Sequence, residues 1–374
     1  MPKRIRSSRE KKLLAQDVAI LEGLALYNPR NLSDLAVHLK MPRPSLRYRI
    51  RNLHSNFSLN LYGSVYHTFI GLRKVIVSAD ARPGYEELVY DCLKTNDYWL
   101  YVSQCIGALR CLAIYGIPVE KEKEFEEFMS QLQELDLVQN VNYFWSTCIQ
   151  VINPTGAWFD KASEEWSFPW DSWVEEVQRT QAELPYTLKE PDAYIQKADW
   201  LDIMILKELE RDSTIKMTEI AKKLSTSLER VMYHFKNHVI EKGMFEGFQA
   251  VAEHYKNLGA DSYFFQFYFK NRENLTKFAG SLMYKPFARY MGKEYGKNRL
   301  FAQIYLPREQ LINFQKAISK LIRTGFLDTY EYVIQDLSRT ERQSISYEFF
   351  KDKNWEYDDR KYAEKLRSTF RQFT

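Results

Sequence analysis

Asp34-Leu35-Ala36 followed by Leu39 recurs as Glu219-Ile220-Ala221 followed by Leu224, at an offset of 185. The same offset carries Tyr48 onto Tyr233, Ile50 onto Phe235, Arg51 onto Lys236 and Asn52 onto Asn237. Upstream it carries Asp17 onto Asp202 and Leu21 onto Leu206; far downstream it carries Ile149-Gln150 onto Ile334-Gln335. Single matches are cheap, but one offset held across both ends is hard to reach by chance. It constrains the fold more than any other feature: the 374 residues are expected to form a tandem duplication of one unit.

Each unit opens with a helical block. Val18, Leu21, Leu24 and Ala25 share one helical face. Asn28-Pro29 breaks that helix, and Ser33 is placed to cap a second, Asp34 to Leu39. A turn through Pro42 and Pro44 leads to a third helix, about Ser45 to His54. The second unit repeats the plan with Ile203 to Leu209, Thr218 to Leu224 and Ser227 to Val239. Three short helices with a tight turn before the third spell a helix-turn-helix.

After each block the period shortens to two. In the first copy Thr68 to Val77 reads as a strand, Glu86 to Leu93 as a helix, and Tyr98 to Cys105 with Leu109 to Tyr115 as a hairpin. Phe125, Phe128, Met129, Leu132 and Leu135 mark a second helix, and Val141 to Val151 a closing strand. The order strand-helix-strand-strand-helix-strand is ferredoxin-like, and residues 260–336 repeat it. The expected fold is therefore α+β: two tandem units, each a winged-helix-like helix-turn-helix followed by a ferredoxin-like βαββαβ domain. The boundaries read as a leader 1–14, helix-turn-helix 15–60, ferredoxin-like 65–155, a Trp-rich acidic extension 156–196, helix-turn-helix 197–247, ferredoxin-like 260–336 and a C-terminal extension 337–374. The aromatic content of both extensions argues for packed segments that end their own units. The alternating aromatics Tyr263, Phe265, Phe267 and Phe269 are expected to bury against the sister sheet, as an internal pseudo-dimer.

Charge is uneven. Residues 1–55 hold 12 Lys/Arg against 4 Asp/Glu, whereas residues 197–243 hold 9 against 8. A basic end points to a polyanion. The third helix of the first unit crowds Arg43, Ser45, Arg47, Tyr48, Arg49 and Arg51, the residue types that contact phosphates and guanine edges. The leader adds Lys3, Arg4, Arg6 and Arg9. The matching candidates in the second unit are Ser227, Arg230, Tyr233, His234 and Lys236. His234 and His238 are spaced i, i+4, which suits zinc, but no Cys or third His lies near them in sequence, so no metal site is expected. The four Cys form no C-x-x-C pair, and no catalytic or nucleotide-binding signature occurs, so neither enzyme nor cofactor is expected. No apolar run suits a membrane span.

Leu35-Ala36, Leu39 and Ser45-Leu46-Arg47-Tyr48-Arg49-Ile50-Arg51-Asn52-Leu53 resemble the recognition segment of the Lrp/AsnC (feast/famine) regulators, in a double-length, archaeal-like version. Ile106-Gly107-Ala108-Leu109 and Gly296 to Arg299 sit where that family has an effector-binding turn. The family's acidic residue there is replaced by Arg110 and Arg299, which speaks against amino-acid sensing. The resemblance implies a cytoplasmic, nucleoid-associated regulator that binds double-stranded DNA through two non-identical readers. A small-molecule effector and further homo-oligomerisation are also implied. A weakly specific architectural protein, or a scaffold in which one helix-turn-helix no longer binds DNA, remains open.

Overall fold

The computed structural model describes residues 12–372 apart from positions 109, 182 and 345. Lys3, Arg4, Arg6, Arg9 and Leu109 lie outside the described residues. The first helix-turn-helix is α1 (Ala15–Leu26), α2 (Leu32–His38) and α3 (Arg43–Phe57). Asn31, rather than Ser33, caps α2 by accepting from the Asp34 amide. Pro44 in the first turn of α3 has no N–H to leave unpaired there. Strand β1 (Asn60–Val65) follows, then β2 (Leu72–Ala81), α4 (Glu86–Leu93), β3 (Trp99–Ile106), β4 (Arg110–Pro118), α5 (Glu122–Glu134) and β5 (Val138–Ser146).

A connecting region comes next: β6 (Gln150–Val151), the hairpin β7 (Phe159–Asp160) and β8 (Glu165–Trp166), and α6 (Trp170–Arg179). The second half repeats the order with α7 (Trp200–Arg211), α8 (Met217–Lys223), α9 (Leu228–Tyr233), β9 (Phe245–Val251), β10 (Ala260–Tyr268), α10 (Arg272–Leu282), β11 (Ala288–Lys293), β12 (Arg299–Pro307), α11 (Arg308–Arg323) and β13 (Thr329–Arg342). It ends in β14 (Phe350–Lys351), β15 (Asn354–Trp355) and α12 (Asp359–Arg371). The expected fold is present: two helix-turn-helix blocks, each followed by a βαββαβ domain.

The two βαββαβ sheets share one nine-stranded order, β5-β2-β4-β3-β13-β10-β12-β11-β6. The long β13 joins them, its first half pairing with β10 and its second with β3. At the far edges Ser146 bridges Glu294, and the Tyr295 amide donates to the Trp145 carbonyl at 2.9 Å. Ile76, Tyr101, Leu112, Ile114, Phe264 and Phe301 fill the space between the two sheets.

Four expectations need correction. Val141 to Val151 is not one strand: it breaks after Ser146, and β6 crosses to pair with β11 of the other unit. Both faces of β10 are apolar, so alternation alone chose the wrong one. Tyr263, Phe265, Phe267 and Phe269 pack with residues of the unit's own helices, including Phe278 and Phe314, and Phe264 faces the sister sheet. The third helix of the second unit is not α-helical throughout; after Tyr233 it widens into a π turn, His234–Ile240.

The two extensions, finally, do not cover their own units. Trp170 and Trp173 pack under α10 and α11 of the second domain, with Trp173 stacked on Phe314. Tyr347, Phe350, Trp355, Tyr362 and Leu366 join the core of the first domain, where α12 lies against α4 and α5. The Trp355 indole donates to the Ile70 carbonyl at 2.6 Å. The strands after each helix-turn-helix cross over likewise. β1 packs on α7, β9 packs on α1, and the two strands pair with each other. Gly63 permits this crossing, because a Cβ there would lie 2.9 Å from the Leu209 carbonyl oxygen.

Candidate functional site

The crossing strands roof a cavity of about 550 Å³ at the seam between the two units. Its walls come from distant segments: His67 after β1, Lys74 on β2, Tyr101 on β3, Glu210 at the end of α7, His254 after β9, Arg289 and Tyr290 on β11 and Arg342 at the end of β13. This volume lies within the range of small-molecule and cofactor pockets.

The cavity is cationic and partly unsatisfied. Lys74 is 5% exposed, and burial pushes its ammonium down to about 8. Its neighbour His67 is 5% exposed and is held at about 4, first by burial and then by the Lys74 charge. Neither His67 ring nitrogen makes a hydrogen bond, although the Glu210 carboxylate stands 3.5 Å from Nε2. The buried Tyr290 hydroxyl also has no partner. Arg289 donates to the Ala252 carbonyl and lies 3.8 Å over the Tyr305 ring. His254 stands between the Pro286 and Ala252 carbonyls; burial and then Arg289 hold it at about 4, so it is neutral at pH 7. Arg342 is exposed at the rim, over Tyr62. Buried polar groups are normally paired. Unpaired ones beside perturbed titratable groups in a cavity mark a place where a ligand completes the pairing.

The candidate DNA-contacting residues divide into two sets. Arg43, Ser45, Arg47, Tyr48 and Arg51 are exposed on α3, as are Ser227, Arg230, Tyr233 and Lys236 around α9. Arg49 and His234 do not join them. Arg49 turns inward and donates to Asp17 Oδ1 at 2.8 Å. His234 is 9% exposed, with Nδ1 2.8 Å from Asp202 Oδ1. Each sits on the helix face that packs on the first helix of its block, so neither side chain is available to a groove. Of the two turns expected near an effector, Arg110 is paired with Asp80, and Arg299 is paired with Glu294 and lies over Phe144.

Sequence reasoning missed the cavity. Its residues are scattered along the chain from Tyr62 to Ser344, and no linear signature links them. The hint was present only as unassigned aromatics and cations at strand ends.

No family model matches the chain, and no curated protein matches it. Solved structures do. The siroheme decarboxylase NirDL aligns over 96% of this chain and 99% of its own, at 12% identity and a TM-score of 0.51. NirDL in complex with an iron-uroporphyrin III analogue aligns over 96% and 100%, at 12% identity and a TM-score of 0.52. AsnC-family regulators match a smaller share. The transcriptional regulator NMB0573 in complex with L-Met, from Neisseria meningitidis, covers 40% of this chain and 98% of its own, at 15% identity and a TM-score of 0.32. The expectation of a non-enzyme is thereby corrected: the structures that match end to end are those of an enzyme, built on an AsnC-like fold.

Proposed function

We propose that this chain is an enzyme whose substrate is a polycarboxylate with a large apolar body, of the cyclic tetrapyrrole class, and that it removes carboxyl groups from it in the seam cavity. The observation that carries the reading is the cavity itself: buried Lys74 and half-buried Arg289 for carboxylates, aromatic and aliphatic walls for a ring, and His67 and Tyr290 left without partners. The full-length likeness to a siroheme decarboxylase supports it at the level of fold.

Loss of carbon dioxide leaves the electron pair of the broken C–C bond on carbon, and a proton must take its place. An acid for that step works best with a pKa near the working pH. Lys74, held near 8 inside the cavity, fits this role, while Arg289 and Arg342 fix the remaining carboxylates. His67 is neutral at pH 7 and offers a ring N–H without adding charge, whereas the single N–H of neutral His254 is taken by a backbone carbonyl.

The test is to titrate the full chain with iron-uroporphyrin III, following absorbance, and to incubate it with siroheme under reducing and oxidising conditions, following loss of carboxyl groups by mass spectrometry. Binding that weakens at least tenfold in Arg289→Ala supports the site, and product that disappears in Lys74→Met while binding persists supports the acid. No binding of either tetrapyrrole overturns the reading.

A second reading is favoured by one observation. Arg43, Arg47 and Arg51 stand four residues apart on α3 and are all exposed, with Tyr48 63% exposed among them. Like charges at that spacing repel in an isolated helix and become favourable against phosphates. DNA binding through α3 would then accompany the cavity's chemistry.

A further inference from the structure

The second helix-turn-helix contains a cluster that neither the cavity nor DNA recognition uses. Asp199 and Asp202 open α7, and His234 and His238 lie on the π turn after α9. Their ligand atoms all fall within 4.8 Å of one another. His234 Nδ1 is 2.8 Å from Asp202 Oδ1 and 3.5 Å from Asp199 Oδ2. His238 Nδ1 is 3.1 Å from Asp202 Oδ2 and 3.9 Å from Asp199 Oδ2. The two imidazole centroids are 4.5 Å apart.

Charge makes the cluster unusual. The Asp202 side chain is 0% exposed, and an isolated buried carboxylate is costly. Asp17, its counterpart in the first unit, is neutralised by Arg49. Among the described residues no Lys or Arg lies within ion-pair distance of Asp199 or Asp202; only the two histidines do. Two carboxylates facing two imidazole nitrogens form a donor set that suits a divalent ion. At metal–ligand bonds of about 2.0–2.2 Å, tetrahedral neighbours stand roughly 3.3 Å apart, and the observed separations straddle that value. Imidazole nitrogen with carboxylate oxygen favours zinc and its transition-metal neighbours over calcium or magnesium. His238 and Asp199 are partly exposed, which gives an ion a way in. Single π turns inside helices recur at functional sites, and this one brings both rings to the same carboxylate.

We propose that Asp199, Asp202, His234 and His238 bind one divalent transition-metal ion of the zinc class, which clamps the π turn of the second helix-turn-helix onto the start of α7. The ion replaces the Nδ1–H to carboxylate contacts. Both imidazoles bind through Nδ1 as neutral Nε2–H tautomers: a doubly protonated ring gives its Nδ1 proton to solvent, and a ring protonated only at Nδ1 exchanges that proton through solvent for one on Nε2.

The full chain, freed of metal by a chelator, is titrated with Zn2+ and separately with Co2+. Bound metal is measured by elemental analysis and site geometry by the visible spectrum of Co2+. The expected result is one ion per chain and a rise in Tm on adding Zn2+. Asp199→Asn keeps a side chain that caps helices equally well, so it tests the ligand without removing the cap. Both Asp199→Asn and His238→Gln should weaken binding at least tenfold with native circular dichroism, whereas the exposed His38→Gln should not. Failure of the intact chain to bind Zn2+ or Co2+ stoichiometrically overturns the proposal. So does unchanged affinity in Asp199→Asn or His238→Gln, or an equal loss in His38→Gln.

Discussion

The two halves of this molecule close the same corner with different chemistry. In the first, Asp17 on α1 takes the guanidinium of Arg49, and the pair keeps some contact with solvent. In the second, Asp202 is sealed from solvent and meets His234 and His238. Arginine is a permanent cation; histidine is one only when protonated, and otherwise needs a metal to supply charge. The halves also lean on each other: each domain's helices are covered by a segment from elsewhere in the chain, the first by the C-terminal extension, the second by the Trp-rich one. Matching positions in the two halves therefore fix where a partner stands, not which residue it is or which half supplies it.

The largest effect should come from breaking the crossed cover. Deleting residues 343–374 removes Tyr347, Trp355, Tyr362 and Leu366 from the core of the first domain. Full burial of one such side chain is worth about 1.5–3 kcal/mol, so the sum exceeds the stability of a typical domain. Hydrogen exchange should rise first in α4 and α5 and later in α10, although α10 is nearer in sequence to the cut. Loss of protection starting in α10 would show that the extension supports its own unit.

Removing the two corner carboxylates should separate the halves further. Asp202→Ala leaves two histidines beside an empty, sealed position and takes away the carboxylate that accepts the Asp199 amide. Each buried polar group left without its partner costs about 1–3 kcal/mol, and here two imidazole nitrogens and the Asp199 amide lose theirs. Asp17→Ala breaks a less buried pair and should cost roughly 1–2 kcal/mol. Urea unfolding of both variants measures the gap, and equal losses would erase the distinction.

These contrasts mark how far the sequence could be read. Helical and alternating periods fixed the order of elements in both halves, and the offset of 185 aligned Asp17 with Asp202. Periodicity does not tell which half a segment packs on, because Trp173 and Tyr362 are equally apolar against either core. It failed on β10, where Phe264 and Phe265 are both buried and the alternation carries no sign. The i, i+4 spacing of His234 and His238 was legible, but their carboxylate partners were not, because Asp202 and His234 stand 32 residues apart and meet only when α7 packs on the π turn. The cavity was illegible for the same reason, since it exists only once β1 and β9 have crossed.

The seam supplies a pH test. His67 and His254 are both held at about 4 in the folded chain, against an ordinary value of about 6.5. The unfolded chain thus binds more protons between these values, and stability falls as pH drops from about 6.5 toward 4. Each histidine contributes at most about 3 kcal/mol to that fall. Unfolding free energies measured from pH 7 to pH 4.5 should decline less steeply in His67→Gln than in the parent. A parallel decline in the two proteins would mean that His67 protonates in place.

The smallest expected effect bears on whether the two helix-turn-helix units differ toward DNA as they do at their corners. Arg47 and Arg51 are exposed on α3 in a region of net positive charge, whereas Arg230 and Lys236 sit in a region where 9 basic residues face 8 acidic ones. Arg47→Ala with Arg51→Ala should weaken DNA binding about tenfold, near 1.4 kcal/mol, and lower the salt slope by about 0.9 for each phosphate no longer neutralised. Arg230→Ala with Lys236→Ala should change affinity less and move the slope little. Arg49→Ala serves as the internal control. Its side chain is committed to Asp17, so its removal should register in urea stability rather than in the salt slope. Titrations at three salt concentrations on one random-sequence duplex measure all of these. A slope that falls most in Arg49→Ala would mean that the Asp17 pair opens on DNA and that Arg49 belongs to the reading face after all.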